Sequence, residues 1–190
     1  MNMYFIAQVL PNELNEKIHK YKLMMFDKFG CKVGLKSPAH ITILPPCWIE
    51  EEREKELITD LENVCKNRSP FQLETKDFSA FKPRTIFIDV AVSDALRQMK
   101  NTADDYFGKK DYKIKIEDRP FKPHITIATR DLHKKAFSEA WPLFEGKEFK
   151  ERWVATGLSL LKHNKKDWDV IHTASFNIIP AVAGDSPMQN

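Results

Sequence analysis

The chain carries the same tetrapeptide twice, His40-Ile41-Thr42-Ile43 and His124-Ile125-Thr126-Ile127, each close behind a proline, Pro38 and Pro123. Two of the six histidines therefore stand in identical surroundings. An imidazole has an unperturbed pKa near 6.5, so one ring can be neutral and another protonated close to neutral pH. That is the equipment for cleaving or forming a phosphate ester: a base for the attacking oxygen, an acid for the leaving one. Each role is worth about 10²–10⁴-fold in rate, without a metal. In an extended strand alternate side chains share a face, which puts His40 with Thr42 and His124 with Thr126, the isoleucines pointing the other way. The His and Thr of one strand then stand about 6.6 Å apart at Cα, close enough to hold one phosphate between imidazole and hydroxyl.

A single His-Ile-Thr-Ile reads as an ordinary half-buried strand, and a duplicated fold can keep both copies as packing. Two copies in matching places favour a shared groove lined by two imidazoles and two hydroxyls. Paired histidines also raise the question of zinc. Zinc sites need three or four ligands at short local spacing, and no histidine pair here has it. Cys31, Cys47 and Cys65 show no C-x-x-C spacing and suit a reducing compartment.

The elements that must position these residues appear in two similar series. Tyr4 to Leu10 reads as a strand closed by Pro11, and a helix capped by Asn12 runs to Phe29 with Leu14, Ile18, Tyr21 and Met25 inward and Gly30 as its stop. The strand from His40 to Leu44 is expected to stop at Pro45-Pro46. A helix from about Glu50 to Lys66, with Leu57, Leu61 and Val64 inward, and a strand Phe71 to Phe78 follow. The second series comprises a strand Thr85 to Val92, a helix from Ser93 or Asp94 to Phe107, a short strand Tyr112 to Ile116 and the strand His124 to Ala128. After these come a helix capped by Asp131 and ending near Trp141, and two strands, Trp153 to Leu161 and Trp168 to Phe176. The recurrence of strand, helix, histidine strand, helix and strand reads as an internal duplication of roughly one lobe each. The lobe-like halves are about 1–80 and 81–180, with room for strands to exchange between them, and 181–190 form a flexible tail.

Composition sets the outer bounds. A hydrophobic content of 42% supports a packed core, and a formal net charge of only +3 lacks the concentrated basic face of a general nucleic-acid binder. A small anionic substrate remains compatible. Lys109 to Lys122 mixes six basic residues with Asp111, Glu117 and Asp118 and reads as a mixed face. No apolar run approaches the ~20 residues of a membrane helix, and nothing at the start resembles a leader. A cytoplasmic monomer is the default expectation.

The paired motifs, 84 positions apart, resemble those of the two-histidine phosphoesterase superfamily, which includes 2′-5′ RNA ligase and RNA 2′,3′-cyclic phosphodiesterase proteins. Phe78 to Val90 is similar to that family's segment between lobes, and Phe121 to Ala128 to its second motif region. The resemblance implies a bilobed α+β fold, two mainly antiparallel sheets with outer helices around a central groove in pseudo-twofold symmetry. It also implies catalytic roles for His40, Thr42, His124 and Thr126, one histidine as base and the other as acid. It implies action on a 2′,3′-cyclic phosphate or a 2′-5′ phosphodiester of a nucleotide or RNA end, with no cofactor. Relatives place a basic residue at the position of Thr129, whereas here Arg130 follows one residue later. Lys122 and Arg130 are candidate phosphate contacts, and Phe81 and Phe121 candidate stacking surfaces for a base. On the alternative reading both charges are solvated and both rings are core. A non-catalytic module that binds an RNA end or a phosphorylated ligand on the same fold is the competing function.

Overall fold

The computed structural model of the protein describes residues 1–177; the tail expected from 181 lies outside the described residues. Among the described residues eight strands form two four-stranded antiparallel sheets. The first runs β2 (His40–Ile49), β1 (Asn2–Val9), β7 (Gly157–His163), β8 (Trp168–Ser175). The second runs β5 (His124–Ala128), β4 (Thr85–Val90), β3 (Phe71–Phe81), β6 (Arg152–Ala155). The fold is α+β, as the resemblance implies. Each histidine strand is the edge of its own sheet, and the two edges lie against each other.

Helix α1 (Asn12–Phe29) connects β1 to β2, as α3 (Asp94–Gly108) connects β4 to β5. The two units are cross-packed, α1 against β5 and α3 against β2. One core therefore runs under both sheets, with Ile41 and Ile43 of β2 and Ile125 and Ile127 of β5 buried beside Leu14, Ile18 and Met25 of α1 and Leu96, Met99 and Ala103 of α3. Helix α2 (Glu54–Cys65) covers β7 and β8. The short α4 (Lys134–Ala140) packs beside α1.

Several local expectations are corrected. Pro45-Pro46 does not stop the histidine strand: β2 continues to Ile49, and both prolines sit in a register shift where Tyr4 pairs with Cys47 and Ile6 with Leu44. An edge strand with a bulge tolerates the missing N–H. Asn12 does not cap α1; Pro11 occupies the cap position, and Asn12 is the first helical residue. The inward stripe of α1 is Leu14, Ile18, Lys22 and Met25, with Tyr21 only partly buried. Gly30 ends the helix at φ +71°, a left-handed cap.

Tyr112 to Ile116 forms no strand; instead the Tyr112 hydroxyl donates to buried Asp60 of α2, which also accepts from Tyr106 and Lys110. Asp131 caps no helix, since α4 begins at Lys134, and its carboxylate accepts the backbone N–H groups of Lys32 and Val33. The segment Trp153 to Leu161 is two strands in different sheets, divided at Thr156-Gly157. A Cβ at Gly157 would collide with the Ala174 carbonyl, so the crossing requires glycine.

Candidate active site between the two sheets

The two motif strands present their residues in register-matched settings. His40 pairs with Val9 and Thr42 with Ala7 on β1, and His124 pairs with Asp89 and Thr126 with Phe87 on β4. The isoleucines of both motifs are buried, while His40, Thr42, His124 and Thr126 are half-buried on the opposite face. The alternation read from the sequence is therefore the alternation in the sheets.

Both imidazoles are held in the same way. Nδ1 of His40 bonds the Pro38 carbonyl at 2.7 Å, and Nδ1 of His124 bonds the Lys122 carbonyl at 2.8 Å. A carbonyl can only accept, so each Nδ1 carries the proton. Each Nε2 is left with a lone pair or a second proton to trade. Burial pushes the His40 imidazole down to about 4; the Pro38 hydrogen bond opposes this, and positive charge from Lys22 and His124 adds to it. His40 is thus neutral at neutral pH, a ring able to accept a proton.

Aromatic rings flank each histidine. Phe5 lies 4.9 Å from His40 and 4.6 Å from Trp168, and Trp168 lies 4.9 Å from His163. Phe5, Ala7 and Leu161, joined by Val9 and Trp168, make an apolar cluster on this face, separate from the main core. On the other sheet Phe87 and Phe81 stand 5.1 and 5.2 Å from His124, and the Lys122 ammonium lies 5.2 Å from the Phe81 ring centre.

Of the sequence-derived candidates, Phe81 and Lys122 are therefore placed beside His124, and Phe81 is exposed. Phe121 packs on the main core with Lys100 of α3 over its ring, away from this cluster. Arg130 is exposed in a left-handed turn at φ +51°, beyond the end of β5. Thr129 bonds the Thr85 hydroxyl at 3.1 Å. Phe5, Trp168 and Lys22 were not singled out from sequence. Lys22 had a readable signal, a lysine four residues after Ile18 on an apolar helix stripe.

Among the described residues no cluster of three or more His, Cys, Asp or Glu side chains could hold a metal ion. None of the described helices is long and apolar enough to cross a membrane.

Two antiparallel sheets whose His-x-Thr edge strands lie against each other make the fold of a two-histidine phosphoesterase. The chain belongs to the 2′-5′ RNA ligase superfamily, whose family model matches residues 10–167. Among solved structures it is similar to TT0787 of Thermus thermophilus, with a TM-score of 0.65, 21% identity, and 93% and 98% of the two chains covered. It is equally similar in fold to E. coli LigT complexed with 3′-AMP, with a TM-score of 0.65, 17% identity and the same coverage. A Bacillus pumilus (strain SAFR-032) protein with a provisional phosphoesterase name is 28% identical over 97 residues. That match spans 49% of this chain and about half, 53%, of the relative.

Proposed function

We propose that this protein cleaves a phosphodiester or 2′,3′-cyclic phosphate at a nucleotide or RNA end, with His40 as general base and His124 as general acid. The observation that carries this reading is the matched pair of rings, each with Nδ1 tied to a backbone carbonyl and Nε2 left for chemistry. His40 takes the base role because its ring is neutral at working pH. In the hydrolytic direction, Nε2 of His40 takes a proton from water as the water oxygen bonds phosphorus. The bond from phosphorus to one ribose oxygen breaks, and His124 gives that oxygen a proton. Thr42 and Thr126 donate hydroxyl protons to the non-bridging oxygens and orient the phosphorus for in-line attack.

The E. coli LigT structures with 3′-AMP, ATP and phosphate support a nucleotide phosphate as occupant of the groove. Phe81, with the Lys122 ammonium over its ring, on one side and Trp168, backed by buried Phe5, on the other offer aromatic surface to a base.

The test is hydrolysis of the four nucleoside 2′,3′-cyclic phosphates and of a short RNA ending in one, with chelator present. Wild type, His40→Ala and His124→Ala are compared. Chelator-resistant turnover that falls at least about 10²-fold in both variants is expected. Wild-type-like turnover by either variant defeats the paired-histidine reading. Tight retention of the ligand by a folded wild type without turnover favours the binding module.

A further inference from the structure

Lys22 is a buried cation beside the site that neither proton transfer uses. Its side chain is 4% exposed, on the α1 stripe with Leu14, Ile18 and Met25. Placing an ammonium there costs several kcal/mol unless it is compensated, and among the described residues no anion pairs with it. Its hydrogen bond, 3.0 Å long, goes to the Ser37 carbonyl. The next carbonyl along the chain, Pro38, is the one that receives Nδ1 of His40.

The rest of that segment is pinned from both units. Asn15 accepts the Ala39 N–H, and Asp131 accepts the N–H groups of Lys32 and Val33. Among the described residues, the charged or titratable groups that act on His40 through space are Lys22 from α1 and His124 from β5. The Ser37–Pro38 segment contributes only carbonyls.

We propose that Lys22 is a positioning residue for His40, fastening the Ser37–Pro38 segment that holds the ring and supplying an uncompensated positive charge on the helix side of it. Fastening the segment fixes the Pro38 carbonyl, and hence the tautomer that leaves Nε2 as acceptor. The charge opposes a second proton on the ring, so the base stays available. The same charge adds to the pull on an incoming phosphate. An apolar side chain of equal shape would do neither. This role rests on the reading of His40 as the proton acceptor.

The experiment follows the His40 ring by proton NMR titration in wild type, Lys22→Met and Lys22→Arg, with pH profiles of kcat/KM beside it. Removing the charge in Lys22→Met should raise the His40 midpoint by about half a unit or more, and the acid limb of kcat/KM should move with it. Lys22→Arg, which keeps the charge, should titrate like wild type. If Lys22→Met fails to fold, Lys22→Gln, a second uncharged side chain, is read in the same way. An unmoved His40 midpoint in a folded uncharged variant overturns the proposal. The titration needs no substrate. A moved midpoint in a protein that turns nothing over upholds Lys22 and retires the phosphoesterase reading, whereas an unmoved midpoint with turnover intact does the reverse.

Discussion

At the level of single residues, the two halves of the site are matched in backbone and unmatched in surroundings. His40 faces Val9 across the strand pair and has Lys22 near it, whereas His124 faces Asp89. The repeat thus supplies two equivalently held rings in unlike surroundings. The depressed His40 pKa has a consequence for stability with a definite sign. An unfolded imidazole titrates near 6.5, so below that pH protons bind the unfolded chain in preference to the folded one, until the folded ring also titrates near 4. Stability contributed by the neutral ring is complete above about pH 6.5 and is lost as the pH falls through that window, by about 1–3 kcal/mol. Urea unfolding at pH 7, 5.5 and 4 should show the wild type losing this amount relative to His40→Ala. A constant difference between the two proteins across the range would contradict the burial of a neutral ring.

Among the elements, the free edge of β5 is closed by the turn at 33–36. Gly34 lies so near Ile127 that a Cβ would collide with the Ile127 carbonyl. That contact protects an edge strand and seats the His40 segment on the His124 strand. Gly34→Ala should therefore cost about 1–3 kcal/mol of stability, as an overpacked contact does. It should also lower kcat more than it raises KM, because the two rings move relative to each other. Thermal unfolding with steady-state kinetics measures both, and unchanged stability would show that the turn yields freely. Asp131 works on the same segment from the other side. Its pattern in sequence, a polar residue shortly before an apolar run, suits a helix cap equally well. Its use depends on residues 98 and 99 positions earlier in the chain, so local pattern could not reveal it.

Across the entire fold, each sheet takes strands from distant parts of the chain. β7 and β8 complete the sheet begun by β1 and β2, and β6 completes the sheet that holds β3, β4 and β5. The Trp153 indole N–H reaches the Gln8 side chain at 3.2 Å, joining β6 of one sheet to β1 of the other. The crossing at Gly157 is therefore a joint between sheets. Gly157→Ala should destabilise the whole fold by about 1–3 kcal/mol, because the added Cβ meets the Ala174 backbone carbonyl and not the flexible end of a side chain. Denaturant unfolding followed by fluorescence and by circular dichroism should show one coincident transition at lower midpoint; two separated transitions would mean that the sheets unfold independently.

Local pattern was enough to read the alternation of strand and helix, the face on which each His-x-Thr pair lies and the identity of the paired imidazoles. These follow from periodicity, with Ile41, Ile43, Ile125 and Ile127 demanding burial and so turning the histidines and threonines outward. The continuation of β2 through two prolines, the fate of Asp131 and the division of the strand at Gly157 emerged only from the packed molecule. So did the separation of Phe121 from Phe81 and the lowered pKa of His40. Each depends on groups distant in sequence: a bulge against β1, a backbone N–H near residue 32, the Ala174 carbonyl, the α3 lysine and, for His40, burial first and the ammonium of α1 after it. Hydrogen bonds and charges act through space, whereas periodicity is read along the chain.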